Sequence, residues 1–151
     1  MECTTRDARS GKMYAKCRFN TATASCFNFY RESFYGEVGK YIPQNISTLL
    51  YTPAALALWY CDDGALRVDS RAFRLHSNRY TLECVELLRS TLPVNYGIRC
   101  AIHQQRGRGR EKADSGYILH CGSREGGAER FRQIVKPWVA LNVPSMLYKF
   151  F

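Results

Sequence analysis

Over residues 13–20 apolar and polar side chains alternate. Met13, Ala15, Cys17 and Phe19 fall on one side, and Tyr14, Lys16, Arg18 and Asn20 on the other. A period of two predicts a strand with one buried face. Residues 1–12 are polar and read as a loose tail. Next, Thr23 or Ser25 is placed to cap a helix bearing Phe27, Tyr30, Phe34 and Tyr35, closed by Gly36 and Gly39. Pro43 marks a connecting loop, and Thr52-Pro53 opens a second helix, since proline suits a first turn. The apolar run of this helix, Leu56 to Cys61, leads directly into Asp62-Asp63-Gly64.

Two short strands follow, 65–68 and 72–78, around a turn at Asp69-Ser70. In the second, Phe73, Leu75 and Ser77 oppose Arg74, His76 and Asn78. Thr81 caps a helix whose Leu82, Val85, Leu88 and Leu92 recur at helical spacing. Its Glu83 and Glu86 come early and Arg89 late, which suits the helix dipole. Ile98, Cys100 and Ile102, alternating with Arg99, Ala101 and His103, predict a third strand, and residues 117–121 a fourth. The polar stretch 104–115 between them reads as a loop. A last helix, 128–139, carries Phe131, Ile134, Val135 and Trp138. From 53 to 140 the order is αββαββα, and the β-α pair before it matches the end of the same pattern. The expected organisation is a polar tail (1–12), a partial repeat (13–50) and a complete unit (51–151). A chain of 151 residues has room for one ordinary core.

Charge narrows the choice of partner. A net charge of +9 favours a polyanion. No apolar run reaches the roughly eighteen residues of a membrane span, so no membrane partner is expected. The opening residues, Met1 to Asp7, lack the apolar core of a secretory signal and do not make a transit peptide. The seven cysteines include no Cys-x-x-Cys pair, and their number is odd. Neither a zinc site nor a disulfide framework is expected, and free thiols suit a reducing compartment.

Two carboxylates at a helix C-terminus face the negative pole of the macrodipole, a placement that costs a few tenths to about 1 kcal/mol per charge. A cation is the natural complement, and Mg²⁺ takes carboxylate oxygens alongside substrate phosphates. On the same helix Ala54, Ala57 and Cys61 are spaced by three and four. These small side chains suit either close approach of another helix or ordinary core packing. The polar strand positions Arg74, His76, Asn78, Arg99 and His103 make either a solvated sheet face or a nucleic-acid groove. Lys16, Arg18 and Asn20 extend the groove, as do Arg106, Arg108, Arg110 and Lys112 of the loop. There arginine and lysine would meet phosphates, and mixed polar groups base edges.

At Leu56, Ala57, Asp63 and Gly64 the chain resembles the signature of the LAGLIDADG homing endonucleases. The form Leu-Ala-x-Trp-Tyr-x-Asp-Asp-Gly is similar to the second signature of double-motif, intron-encoded members. Lys40-Tyr41-Ile42-Pro43, Tyr51-Thr52-Pro53, Lys136-Pro137-Trp138 and Pro144 to Lys149 resemble the segments around it. The resemblance implies an α/β (α+β) fold, an αββαββα unit whose four antiparallel strands form a saddle over nucleic acid. It implies a metal site at Asp63 with Gly64, and Lys40 and Lys149 as catalytic lysines near the scissile phosphates. It also implies a signature helix that packs against a second one. No first signature precedes residue 50. Two functions follow: a Mg²⁺-dependent DNA endonuclease completed by a second subunit, or a cleavage-inactive descendant that binds structured RNA, as a splicing factor or within a ribonucleoprotein. Both imply an organelle, mitochondrion or chloroplast.

Overall fold

A computed structural model describes residues 2–6, 11, 13–17, 20, 22–37, 39–105, 116–123 and 126–151. They fall into two units, Met1–Arg31 and Glu32–Phe151. In the first, β1 (Glu2–Arg6) pairs antiparallel with β2 (Met13–Cys17), Glu2 opposite Cys17 and Arg6 opposite Met13. Residues 2–6 therefore form a strand where a loose tail was expected: Cys3, Thr4 and Thr5 carry strand propensity, and β2 offers them a ladder. A 3₁₀ turn, Ser25–Phe27, leads into α1 (Asn28–Phe34). No side chain caps that turn, contrary to the expectation for Thr23 or Ser25.

The second unit begins with a tight hairpin, β3 (Tyr35–Gly36) on β4 (Gly39–Lys40), so Tyr35 lies in a strand rather than in the helix. After α2 (Ile46–Leu49) comes α3 (Pro53–Asp63). The Thr52 hydroxyl accepts from the Ala55 amide at 3.2 Å, and Tyr96 donates to the Thr52 carbonyl at 3.0 Å, fixing the start of α3. Then follow β5 (Gly64–Arg67), β6 (Ala72–His76), α4 (Leu82–Tyr96), β7 (Ala101–Gln105), β8 (Gly116–Cys121) and α5 (Gly127–Asn142). A 3₁₀ segment, Pro144–Phe150, closes the chain. The αββαββα order is present, and the sheet is antiparallel in the order β5-β6-β8-β7.

The third strand begins at Ala101, not Ile98. Gly97 ends α4 in the left-handed conformation, with φ of 67°, and the Ile98 amide turns back to the Leu92 carbonyl at 3.3 Å. That bond satisfies the helix end, so the ladder starts after it.

One core lies between the sheet and α3, α4 and α5. At its centre Phe73 stacks on Phe131 with centroids 4.7 Å apart, and Tyr60 meets both rings edge-on. Phe150 closes the group against Tyr60 and Phe73. Cys121 is fully buried and Cys100 half-buried, which fits the packing role expected of cysteine. The expectation of free thiols fails at this pair: Cys100 and Cys121, side by side on the core face, form a disulfide. Cys26, Cys61 and Cys84 are free. No helix among the described residues is long and apolar enough to cross a membrane.

Phe73→Ala removes the ring shared by all the others, and is expected to cost about 3–5 kcal/mol in denaturant unfolding. A loss below about 1 kcal/mol would mean that this cluster does not hold the core.

Candidate nucleic-acid interface

Helix α3 buries Leu56, Ala57 and Tyr60 completely. The expected interface stripe of Ala54, Ala57 and Cys61 is thus corrected at Ala57, which is fully buried in the chain's own core and so not open to a second helix. Ala54 and Cys61 are half-buried, and Leu58 between them is 55% exposed. The open face of α3 is therefore Ala54, Leu58 and Cys61.

The chain leaves α3 at Asp63, which is exposed, as is Asp62. Gly64 comes next because nothing larger fits: a Cβ there would collide with the ring and carbonyl of Tyr60. The Gly64 amide donates to the Tyr60 carbonyl. Lys149 reaches this helix end from the closing segment. Its ammonium donates to the carbonyls of Cys61 at 2.7 Å, Gly64 at 2.9 Å and Tyr60 at 3.3 Å. The Tyr60 hydroxyl donates back to the Lys149 carbonyl at 2.5 Å. Burial pushes the Tyr60 phenol well above its usual range, and also raises the Cys61 thiol against the opposing pull of Lys149. Lys40, on β4, lies over the Tyr35 ring, 5.7 Å from its centroid. Tyr80, whose phenol burial raises, feels both the Lys40 ammonium and the Asp63 carboxylate. Asp63, Tyr80 and Trp59 border one depression of about 280 Å³. Tyr80 and Tyr35 were not singled out from the sequence; only the fold brings them here.

The second feature is the outer face of the sheet. Phe73, Leu75, Leu119 and Cys121 are fully buried on the core side, so the alternation turns Arg74, His76 and His120 outward. Arg74 stands opposite His120, and His76 and His103 both stand opposite Ile118. The His103 and His120 rings stack with centroids 4.5 Å apart and 13° between planes. With the exposed Arg99, both border a cleft of about 790 Å³ that also includes Ser70 and Ser123. Arg74 Nε and His120 Nδ1 are buried without a hydrogen-bond partner among the described residues. On β5 Arg67 is held by Asp69, with Nη2 2.6 Å from its carboxylate. Asn78 sits past the end of β6, 3.4 Å from Gln105 through its side-chain amide.

Of the expected groove residues, Arg74, His76, Arg99 and His103 lie on or beside this face. Arg67 and His120 join them. The alternation of Tyr117, Leu119 and Cys121 is the sequence signal that could have found His120. Asn20 is exposed in the first unit. Lys16 is in β2, with only its backbone described, and Arg18, Arg106, Arg108, Arg110 and Lys112 lie outside the described residues.

The match to known proteins agrees with this architecture. The model of the LAGLIDADG DNA endonuclease family matches residues 1–126. The chain belongs to this family. Among curated LAGLIDADG relatives, a cytochrome b mRNA maturase, bI2, of Debaryomyces hansenii is 30% identical over 96% of this chain and 50% of its own length. The DNA endonuclease I-ChuI of Chlamydomonas applanata is 29% identical over 95% of this chain and 65% of its own. The chain thus spans about half to two thirds of these relatives. The homing endonuclease I-WcaI, solved bound to its DNA recognition sequence, has a similar fold, with a TM-score of 0.76 at 20% identity. That match covers all of this chain and 63% of I-WcaI.

The family implies a metal. No group of three or more His, Cys, Asp or Glu side chains converges among the described residues. At Gly64, expected at the metal beside Asp63, the carbonyl accepts from Lys149. The described residues do not by themselves make a metal site.

The His120 pKa lies below the ordinary histidine value, first through burial, then through His103, Arg74 and Arg67. The fold therefore favours the neutral ring, and the unfolded chain binds the proton more readily. This contribution to stability is whole above about pH 6.5, and is lost as pH falls through the folded value. Thermal melts between pH 8 and 5 are expected to fall less steeply for His120→Gln than for wild type. Parallel curves would show that His120 does not titrate in this way.

Proposed function

We propose that this chain binds nucleic acid on the outer face of the four-stranded sheet, with duplex DNA as the first ligand to test. The observation that carries the proposal is the outward set of Arg74, His76, His103 and His120, flanked by Arg67 and Arg99, on a chain of net charge +9. Phosphates take the arginines, and base edges take the imidazoles. The likeness to I-ChuI supports DNA.

Cleavage needs more than this chain's described residues supply. Asp63 offers one carboxylate from an exposed helix end. In a two-metal site, ions clamp both the attacking and the leaving oxygens of a displacement. The reading is therefore that Asp63 is half of a site, and that a second signature helix packs on Ala54, Leu58 and Cys61. That helix comes from a second subunit or from elsewhere in a longer protein. Lys40, beside Tyr80 and Asp63, is placed to add positive charge there.

The likeness to the cytochrome b mRNA maturase favours a second reading, in which the same face binds structured RNA and cleavage is absent. On either reading we assign the protein to an organelle, on that likeness. The partial repeat at 13–50 remains part of the proposal, as the trace of a second unit.

Titrating labelled duplex DNA and a folded intron RNA at several salt concentrations tests the proposal. Arg74→Ala and Arg99→Ala should each weaken binding and reduce the salt slope by about one. An unchanged slope in both removes the face from the interface. Incubation with Mg²⁺ or Mn²⁺ separates the readings. Specific cutting that Asp63→Asn abolishes supports the endonuclease; RNA binding without cutting supports the maturase-like reading.

A further inference from the structure

We propose that Lys149 is a positioning residue. Its ammonium clamps the last turn of α3 by the carbonyls, and so sets the direction in which Asp63 leaves the helix. The proposal rests on the reading of Asp63 as the acidic end of the site.

A helix C-terminus presents unpaired carbonyls and a partial negative charge. α3 adds Asp62 and Asp63 to that charge, and has no basic residue in its own last turn. The compensating cation comes from residue 149, more than eighty positions away. An ammonium has three protons, and those of Lys149 meet three carbonyl oxygens, at 2.7, 2.9 and 3.3 Å. Two of these belong to Cys61 and Gly64, on either side of the Asp62-Asp63 pair. The third, on Tyr60, also receives the Gly64 amide.

The clamp is held from the other side too. The Tyr60 hydroxyl binds the Lys149 carbonyl at 2.5 Å, while the Tyr60 ring is locked among Phe73, Phe131 and Phe150. Both the main chain and the side chain of Lys149 are thus tied to one core residue of α3. The three bonds commit the ammonium of Lys149 to the helix end. This positioning role stands beside the phosphate contact that the family resemblance implies for Lys149.

Amide hydrogen exchange on the full chain reads the clamp without metal or nucleic acid, so its failure is distinct from failure of the binding reading. Lys149→Met keeps length and removes charge. It is expected to speed exchange at Asp62, Asp63 and Gly64 at least tenfold more than at the buried core amides of α5. Lys149→Arg, which retains charge and several donors, should restore part of the protection. If Lys149→Met does not fold, Tyr60→Phe takes its place, and should speed the same three amides to a smaller extent. Wild-type exchange at these amides in whichever variant folds would overturn the proposal.

Discussion

Tyr60 and Lys149 hold each other by both ends, and the arrangement of the second unit depends on that pair. The Tyr60 ring packs against Phe73 and Phe131, which join the sheet to α5. Its hydroxyl and carbonyl meanwhile tie α3 to the closing segment. A single buried aromatic with a polar tip thus connects core, helix end and C-terminus. Gly64 follows from the same constraint, because the chain must turn into β5 directly over that ring.

From this anchor the two functional features diverge. The end of α3 shares a depression with Tyr80 and presents Asp63 to solvent. The sheet that begins one residue later turns its core side to the aromatic cluster and its other side outward. One face is therefore fixed by apolar packing. The other is left free to carry Arg74, His103 and His120. The proposed DNA and RNA readings share this face, which supplies charge and shape, whereas cutting requires a complete acidic site.

Much of the second unit was legible from period alone. The alternation in 72–78 and the helical spacing in 82–92 each appear where expected, because one apolar face must meet one core. The Asp-Asp-Gly end of α3 was visible as an electrostatic oddity. What could not be read was long-range. Ala57 has the size of an interface residue, but only the folded chain makes it core. Cys100 and Cys121 looked like two separate small hydrophobes until the β7–β8 pairing set them side by side. Lys149 suggested a phosphate contact by its place in a motif, whereas its three acceptors lie some 85 to 89 positions away. Residues 2–6 read as a polar tail because their partner strand, not their own pattern, orders them.

NMR of the imidazoles of His76, His103 and His120, during titration with duplex DNA and with folded RNA, reports whether the outer sheet face is the binding surface. All three signals are expected to shift on binding, and His120 to protonate at higher pH in the complex than in the free protein. Binding that leaves the three imidazoles and the titration of His120 unchanged would mean that nucleic acid binds elsewhere.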